Sequence, residues 1–375
     1  MKLKIKKDLL LENLNKVSKA ISTKNLIPTL AGIKFDLTKK GLTLTASNND
    51  ITIQKFIKVK KDNMTIDKEG IVILQGKDIV DIVRVIPEED INIEVFDDTK
   101  VLIYTDDEQI KYDLNVINKS EYPNVNLEKS ENFVTIETSE MLNIIRETAF
   151  ATSNDESRPV LTGLSLNING DLLECIATDS YRLAKKNIRL KNVVEENYNI
   201  IIPGKNIIEF SKIIENSGEI KLHIFNNKIL FEYEDLLFQS RLISGNYPPT
   251  SKSIPQEFNL TIKANLSQLY GVITQASILT SDKEKNIVSL STKGNLLTVK
   301  SVSNEKGKAE MKMGITKNND EEISIAFSAK YMLDALSTLS TEEVELSFVG
   351  EVKPIIIKNT KDDGLLQLVV PIRTY

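Results

Sequence analysis

The stretch GKNIIEFSKII at residues 204–214 occurs three times in the chain, each time with changed side chains. GKDIVDIVRVI lies 128 residues earlier, at 76–86, and AKYMLDALSTL lies 125 residues later, at 329–339. Each copy has apolar residues at helical spacing, follows an apolar strand pattern and precedes a hairpin pattern. A period of this length predicts three copies of one supersecondary unit.

Each copy also begins with a helical pattern. These first helices are predicted at KDLLLENLNKVSKAI (7–21), SEMLNIIRETAFAT (139–152) and NLSQLYGVITQASIL (265–279). A single apolar stripe on such a helix indicates that one face packs against a sheet. We therefore predict an α+β fold with two helices packed on antiparallel sheets in each repeat. The predicted domains are 1–128, 129–255 and 256–375.

The bulk composition is typical of a globular protein. The chain has 375 residues, 41% hydrophobic residues and a formal net charge of −5. It contains no apolar run long enough to cross a membrane, and its first ten residues, MKLKIKKDLL, lack the features of a signal peptide. The single cysteine, Cys175, has no partner for an internal disulfide. We expect a cytoplasmic protein that does not associate with membranes.

The residues needed for common catalytic chemistry are scarce. One histidine and one cysteine do not make a His/Cys zinc site, and no motif places a nucleophile beside a base. His223 lies in an alternating strand pattern and is predicted to be half exposed. Acidic clusters fall in turn-like segments, where solvated turns are the commoner explanation. We expect no cofactor, no metal and no enzymatic activity.

Positive charge gathers on several helical stretches although the chain is acidic. Lys16 lies on the first helix, Lys77 and Arg84 lie on the second, and Lys205 and Lys212 continue the pattern in the middle repeat. Solvated helix faces often carry such residues. Their separation from the acidic segments nevertheless favours one surface that faces nucleic acid.

One segment of the middle repeat departs from the other two copies. ATDSYRLA at 177–184 corresponds to ASNNDIT at 46–52 and to VSNEKGK at 302–308. The short polar pair recurs in all three and predicts a turn stabilised by side-chain-to-backbone bonds. The segment Tyr181-Arg182-Leu183 has no counterpart. We interpret this segment as a turn that carries a docking surface of the middle repeat alone.

Three tandem two-helix units, together with ATDSYRLA, ISGNYPP (243–249) and the terminal VVPIRTY (369–375), resemble the bacterial beta sliding clamp, the beta subunit of DNA polymerase III. The resemblance covers the whole chain. It implies the DNA-clamp fold in three tandem repeats and a ring-shaped head-to-tail homodimer that encircles double-stranded DNA without reading its sequence. It also implies tethering of the replicative DNA polymerase, the clamp loader and repair proteins through short apolar peptide motifs, which gives processivity.

The resemblance implies three sets of site residues. The partner-peptide pocket would be formed by Leu161, Thr178, Ser180, Tyr181, Arg182, Leu183, Pro248, Val352, Pro354, Leu368, Val369, Val370, Pro371, Ile372 and Arg373. DNA would be contacted by Lys24, Lys77, Arg84, Arg146, Arg158, Lys205 and Lys212. The dimer interface would join Tyr112 and Leu114 of one chain to Ile278 and Leu279 of the other. Lys252 and Ser253 stand where some family members have Arg and Val.

Two alternatives from other classes stay open at this point. A carboxylate- and metal-dependent nuclease is disfavoured because no paired carboxylates recur at a motif spacing. A protein that binds only other proteins is disfavoured by the basic helices. Retention on circular but not on linear DNA separates a clamp from both.

Overall fold

The computed structural model describes residues 1–21, 28–97, 99–280, 286–303 and 305–373. In these residues each repeat contributes two α-helices. They are α1 (Lys7–Val17), α2 (Gly76–Val85), α3 (Thr138–Thr148), α4 (Gly204–Ser211), α5 (Leu266–Ser277) and α6 (Ala329–Leu336). The second helix of each repeat begins one residue before Lys77, Lys205 or Lys330, so the predicted period of the helices is confirmed.

The strands follow the same repeat. The first repeat has β1 (Lys2–Lys6), β2 (Gly32–Thr38), β3 (Gly41–Ser47), β4 (Ile51–Lys58), β5 (Met64–Lys68), β6 (Gly70–Gln75), β7 (Asp90–Asp97), β8 (Lys100–Tyr104) and β9 (Lys111–Asn115). The second has β10 (Val134–Glu137), β11 (Gly163–Thr178), β12 (Arg182–Pro203), β13 (Glu219–Ile224), β14 (Lys228–Tyr233) and β15 (Leu236–Arg241). The third has β16 (Leu260–Asn265), β17 (Ile287–Lys293), β18 (Leu296–Ser303), β19 (Gly307–Gly314), β20 (Thr316–Lys317), β21 (Ser324–Ser328), β22 (Glu343–Phe348), β23 (Ile355–Asn359) and β24 (Asp362–Val369).

Contacts group the chain into two compact units. The first unit comprises Met1–Thr138 and Glu209–Leu242, and the second comprises Ser139–Ile208 and the chain from Ile243 onward. Each unit holds one half of the middle repeat. The units follow the sheets rather than the repeats, so the boundaries near residues 128 and 255 stay a prediction from the sequence.

The first unit contains a five-stranded and an eight-stranded antiparallel sheet. Their strand orders are β5-β1-β7-β8-β9 and β10-β13-β14-β15-β4-β3-β2-β6. The eight-stranded sheet crosses from the first to the middle repeat where β15 pairs with β4. At that junction Phe238 lies opposite Ile53, and both side chains are fully buried. The α1 residues Leu10, Leu14 and Val17 are also fully buried, as their spacing predicts.

The second unit contains a seven-stranded and a four-stranded antiparallel sheet. Their strand orders are β11-β12-β24-β23-β22-β16-β20 and β19-β18-β17-β21. The seven-stranded sheet crosses from the middle to the third repeat where β12 pairs with β24, and Leu183 lies opposite Leu368 there. This junction carries the site described below. Across the described ranges, no helix combines the length and the apolar character needed to cross a membrane.

The prediction that His223 is half exposed was wrong. His223 lies on β13 as expected but is only 2% exposed. Its ring nitrogens lie 3.1 Å from Glu232 Oε2 and 3.1 Å from the backbone nitrogen of Ser130. Phe133 packs on its ring at 5.4 Å. Chain segment 130–133 therefore covers a strand face that the alternation alone would leave open.

Candidate functional site

The segment 178–182 is a tight turn between β11 and β12, as the sequence predicts. The backbone N–H groups of Tyr181 and Arg182 both donate to Asp179 Oδ1 at 2.9 Å. Thr178 Oγ1 donates to the carbonyl of Arg182 at 2.6 Å. Ser180 has a φ of 77°, in the left-handed region. The carboxylate of Asp179 therefore organises the turn as an Asx turn.

A half-buried tyrosine, Tyr247, also contacts this turn. The backbone N–H of Thr178 donates to Tyr247 Oη at 2.9 Å. Burial raises the pKa of the Tyr247 phenol, so the phenol stays neutral and available as an acceptor at neutral pH. Asp179 and Tyr247 therefore both hold the backbone of the turn in place.

Arg182 is a buried ion-paired residue rather than a free cation. Its side chain is 9% exposed. The guanidinium donates to Asp179 Oδ2 at 3.0 Å and to Asp334 Oδ2 at 2.5 Å. It also lies over the ring of Tyr331, 4.6 Å from its centroid, and 5.3 Å from that of Phe150. Arg182 therefore ties the turn to α6 of the third repeat.

A row of apolar side chains lies beside the turn across neighbouring strands. Leu183 on β12 lies opposite Leu368 on β24, which lies opposite Ile356 on β23. These residues and Ile176 form a small buried cluster of their own, with Leu183 and Leu368 each 3% exposed. The row makes an apolar floor at the junction of the second and third repeats.

A cavity of about 620 Å³ stands on this floor. It is lined by Thr178, Ser180, Arg182, Leu183, Pro248, Pro249, Thr250, Lys252, Ser253, Pro255, Glu257, Val349, Lys353, Pro354, Leu368 and Val370. One wall is the segment 248–257, whose three prolines restrict its backbone. The loop between β22 and β23 contributes Val349, Lys353 and Pro354 to the lining. An apolar, preformed cavity with a few polar groups is the usual form of a ligand site.

A second cavity, of about 550 Å³, lies next to the first and shares Val370 with it. It is lined by Tyr181, Asn286, Ser328, Lys330, Tyr331, Val370, Pro371 and Ile372. Tyr181 is 61% exposed and stacks on Tyr331 with ring centroids 6.3 Å apart. The C-terminal segment is held in place because the N–H of Val370 donates to the carbonyl of Tyr181, at 2.8 Å, and that of Ile372 to the carbonyl of Ala326, at 2.7 Å.

The structure brings most of the predicted pocket residues together. Those around the first cavity are Thr178, Ser180, Arg182, Leu183, Pro248, Pro354, Leu368 and Val370, and those around the second are Tyr181, Val370, Pro371 and Ile372. Four predicted residues line neither cavity. Leu161 and Val369 are buried in the core, whereas Val352 and Arg373 are exposed beside the site.

Several lining residues were not predicted from the sequence. Lys252 and Ser253, at which family members differ, do line the first cavity. Pro249 stands in the ISGNYPP motif but is not among the predicted pocket residues, and Pro255 has no sequence signal of its own. Tyr331 belongs to a repeat helix and carries no separate sequence signal.

The six predicted DNA-contacting cations that the structure describes are exposed, and four of them have a carboxylate partner. Arg84 lies 2.8 Å from Asp81, and Lys212 lies 2.6 Å from Glu209. The other two pairs are Arg146 with Glu147 at 3.2 Å and Lys205 with Glu156 at 3.7 Å. Lys77 is exposed near the start of α2. Arg158 donates to Ser180 Oγ at 3.2 Å, which places it at the turn, and Lys24 lies outside the described residues.

The predicted interface residues lie on one edge strand and at the end of one helix. Tyr112 and Leu114 are half-buried on β9, the last strand of the five-stranded sheet. Ile278 is 69% exposed just after α5, whereas Leu279 is half-buried. The two neighbouring residues thus differ in exposure, so that Ile278 is the better placed of the two to contact another molecule.

The described residues show no arrangement for metal chemistry. No group of three or more His, Cys, Asp or Glu side chains able to hold a metal ion occurs among them. Cys175 is fully buried, and burial raises the pKa of its thiol. A buried, protonated thiol is a poor nucleophile.

Comparison with known proteins finds the same family along the whole chain. Three family models of the DNA polymerase III beta subunit match it, the N-terminal domain at residues 1–126, the central domain at 135–249 and the C-terminal domain at 251–373. The beta sliding clamp of Bacillus subtilis is 36% identical over 380 residues, and that of Staphylococcus aureus is 34% identical over 379 residues, with each match covering both chains completely.

Structural comparison gives the same result. The crystal structure of the DNA polymerase sliding clamp from Bacillus subtilis covers 100% of both chains with a TM-score of 0.94. None of these matches supports the nuclease or the pure scaffold. The chain therefore belongs to the bacterial beta sliding clamp family, the non-catalytic processivity subunits of DNA polymerase III.

Proposed function

We propose that two copies of the chain close head to tail into a ring around double-stranded DNA and tether partner proteins through the cavity beside Arg182. The partners would be the replicative polymerase, the clamp loader and repair proteins, each offering a short apolar peptide. The observation that carries the tethering role is the preformed apolar cavity at a turn whose counterpart in the first repeat lacks the Tyr-Arg-Leu segment. A cytoplasmic location fits this role.

The floor and walls of the first cavity suit an apolar peptide anchor. Leu183 and Leu368 offer buried apolar surface that a Leu or Phe side chain of a partner would extend. The proline-containing wall is rigid, so little conformational entropy is lost when a peptide binds. Recognition would depend on a few anchors in pockets, as in many peptide-binding sites.

The cations at the site have different roles. Arg182 is buried and already paired with Asp179 and Asp334, so we assign it to positioning the turn and α6. Lys252 and Lys353 are exposed and line the first cavity. These two lysines are the groups that would meet an acidic residue next to the apolar anchor.

The charge pattern of the helices suits weak DNA contact. Four of the predicted cations form an ion pair with a nearby carboxylate, such as Arg84 with Asp81 and Lys212 with Glu209. Such pairs reduce the net attraction to phosphate and hence the affinity that counterion release supplies. A ring that holds DNA topologically needs only weak, sequence-independent contacts, which permit sliding.

Retention on DNA tests the ring. The chain is loaded by its cognate clamp loader onto nicked circular and onto linear duplexes of equal length, and the protein remaining is measured over time after the loader is removed. We expect slow loss from circles and rapid loss from linear DNA. Equal loss rates would contradict the ring. Blocking the linear ends with bulky protein should restore retention, which controls for a difference in DNA affinity.

Peptide binding tests the site separately. Removal of residues 371–375 takes away part of the second cavity and leaves Val369, which is fully buried in the core. We expect weaker binding of a fluorescein-labelled peptide with adjacent Leu and Phe anchors, measured by anisotropy, and an unchanged dimer. Loss of the dimer would show that the segment is structural.

DNA binding tests the charged residues. Neutralising Lys24 and Arg158 should lower affinity for duplex DNA and reduce its salt dependence, because phosphate contacts are lost. Unchanged affinity and slope would rule these two residues out. Because Arg158 also donates to Ser180, its effect on peptide binding is measured in parallel.

A further inference from the structure

The last turn of α3 carries a buried carboxylate. The Glu147 side chain is 4% exposed and directly follows Arg146, one of the predicted DNA-contacting cations. A carboxylate at the C-terminal end of a helix meets the negative end of the helix dipole, and burial removes the water that would stabilise its charge. Glu147 therefore depends on nearby cations to remain ionised.

Two cations contact the two oxygens of this carboxylate. The guanidinium of Arg146 donates to Glu147 Oε1 at 3.2 Å, and Lys186 Nζ, from β12, lies 2.9 Å from Glu147 Oε2. Each oxygen thus has a cation of its own. An exposed residue of the helix and a buried residue of the sheet therefore share one buried negative charge.

The two cations differ in their freedom to move. Lys186 is 8% exposed and is also paired with the carboxylate of Asp362. Burial alone would lower the pKa of the Lys186 amine, but the carboxylates of Asp362 and Glu147 outweigh burial and raise it, so the amine stays charged at neutral pH. Arg146 is 47% exposed, and its other acceptor is the exposed Asn143, at 3.0 Å. Lys186 is therefore fixed, whereas Arg146 is free to turn toward another anion.

The sheet also holds the end of α3 in place. Gln367 on β24 is fully buried, and its Nε2 donates to the carbonyl of Glu147 at 3.2 Å and to Thr338 Oγ1 at 2.8 Å. β24 pairs with β12 at Lys186, so the helix end and the lysine are fastened to the same pair of strands. The contact between Glu147 and Lys186 therefore does not depend on Arg146.

The first repeat has a different charge arrangement at the same positions. Lys16 is the tenth residue of α1, as Glu147 is the tenth residue of α3. Lys55 on β4 corresponds to Lys186 when the turn segments of the two repeats are aligned. Burial lowers the pKa of the Lys55 amine, and the charge of Lys16 lowers it further. The repeat fold therefore does not require the buried ion pair, which distinguishes the middle repeat from the first.

We propose that Lys186 is a positioning residue for DNA contact, which balances the charge of Glu147 and so leaves the guanidinium of Arg146 available to DNA phosphates. This role rests on the DNA contact proposed above for Arg146. When a phosphate approaches, Arg146 exchanges one anionic partner for another, and Glu147 keeps Lys186. Without Lys186, the departure of Arg146 would leave a buried, unpaired charge, which is strongly disfavoured. Arg146 would then stay on Glu147.

Chemical modification of Arg146 tests this role in the absence of DNA. Phenylglyoxal modifies guanidinium groups, and peptide mass spectrometry measures its rate at Arg146. Lys186→Met removes the charge and keeps an unbranched side chain, and we expect Arg146 to react about threefold more slowly because it is then the cation that Glu147 retains. Adding Glu147→Gln should make Arg146 react faster than in the parent chain. Lys55→Met, at the equivalent position of the first repeat, is the matched control and should leave the rate unchanged.

The modification rates contradict the positioning role in two ways. An unchanged or faster rate in Lys186→Met would overturn it, and a faster rate would mean that Glu147 takes up a proton when its lysine is lost. The double variant with Glu147→Gln leaves no unpaired charge at that position and covers the case in which Lys186→Met folds poorly. If Arg146 reacted in the double variant at the parent rate, Glu147 would not restrain Arg146, and the role of Lys186 would be wrong.

The salt dependence of DNA binding connects this role with function. Arg146→Ala should reduce the slope of log affinity against log salt concentration by about 0.9 for each chain, the value of one phosphate contact. Lys186→Met should give a similar reduction although Lys186 is too buried to meet a phosphate, and the two changes together should reduce the slope no further than Arg146→Ala alone.

The two single variants separate the DNA contact from the positioning role. A slope that Arg146→Ala leaves unchanged would overturn the proposed DNA contact of Arg146 and with it the role of Lys186. A slope that falls in Arg146→Ala but not in a folded Lys186→Met chain would overturn the positioning role alone.

Discussion

The turns at residues 47–52 and 178–183 have the same scaffold and different surfaces. In the first repeat Asn48 Oδ1 accepts from the N–H groups of Asp50 and Ile51 at 2.8 Å. In the middle repeat Asp179 Oδ1 accepts from the two equivalent N–H groups at 2.9 Å. The first and middle repeats therefore share the backbone arrangement and differ in the side chains that it presents, whereas Asn304, at the corresponding position of the third repeat, lies outside the described residues.

The difference is largest at one equivalent position. Ile51 is 5% exposed and is an ordinary core residue, whereas Arg182 is 8% exposed and carries a charge. A buried charge is tolerated only when it is paired, and Asp179 and Asp334 supply the pair. The middle repeat thus has an ion pair that reaches the next repeat where the first repeat has an apolar core residue.

The largest effects on the free energy of unfolding are expected when Arg182 or Ile51 is replaced by alanine. Arg182→Ala leaves Asp334 and Asp179 without their cation, and we expect the free energy of unfolding to fall by about 3 kcal/mol. The turn and α6 would lose their connection, so peptide affinity should fall at least about tenfold. Circular dichroism in urea and peptide anisotropy measure the two quantities.

Ile51→Ala is the matched control for that experiment. It opens a cavity in a buried core and should cost about 3 kcal/mol as well, yet it should leave peptide affinity unchanged. If both variants weakened peptide binding equally, the loss would reflect general destabilisation, and Arg182 would have no positioning role.

The next largest effect on the free energy of unfolding is expected from Tyr122, the tyrosine near the first turn, and this effect depends on pH. Tyr122 donates to the carbonyl of Thr45 at 3.3 Å in the first repeat, and burial raises the pKa of Tyr122 from 10.0 to about 12. The folded chain therefore holds this proton more tightly than the unfolded chain. Its stabilisation is complete below pH 10 and is lost as the pH rises from about 10 to about 12, by at most about 2.7 kcal/mol in all.

Tyr122→Phe isolates that contribution. The variant has no phenol to ionise, so its unfolding free energy should fall less steeply between pH 10 and 12 than that of the parent chain, in parallel urea titrations. Equal slopes would mean that Tyr122 ionises as freely when folded as when unfolded.

The repeat made much of this fold predictable. The helices that contain Lys77, Lys205 and Lys330 begin at equivalent positions, because one supersecondary unit with one apolar stripe occurs three times. The turn at Asp179 was predictable for a similar reason, since a local Asx turn needs only its own residues. Comparing the copies also separated the shared polar pair from Tyr181-Arg182-Leu183.

What depended on contacts between distant segments was not predictable in this way. Tyr331 and Lys353 line the site only because β12 pairs with β24 and the third repeat folds beside it, and no local pattern reports that pairing. His223 was misjudged because alternation tells which residues share a face but not what covers it. The burial of Arg182 likewise depends on Asp334, 152 residues away.

Exchanging Asn and Asp at positions 48 and 179, whose side-chain oxygens accept the turn hydrogen bonds, should change the free energy of unfolding less. Asn48→Asp keeps the oxygen that accepts from Asp50 and Ile51, so we expect a change within about 0.5 kcal/mol. Asp179→Asn keeps the turn but removes one of the two carboxylates that Arg182 contacts, and should cost about 1 kcal/mol. Equal costs for the two exchanges, measured by urea unfolding, would mean that the carboxylate contributes only its turn bonds.

The smallest effect on stability should come from the exposed tip of the middle turn, where the difference between the repeats concerns binding alone. Tyr181 is 61% exposed and stacks on Tyr331 at the second cavity. Tyr181→Ala should therefore change the free energy of unfolding by less than about 0.5 kcal/mol, as for most surface substitutions. Peptide affinity should nevertheless fall by about fivefold, because aromatic residues at the rim of a site contribute contact area.

Asp50→Ala, at the equivalent position of the first repeat, should alter neither quantity. If Tyr181→Ala unfolded the chain as readily as Arg182→Ala, the tip would be part of the scaffold, and the division between shared turn and private surface would be wrong.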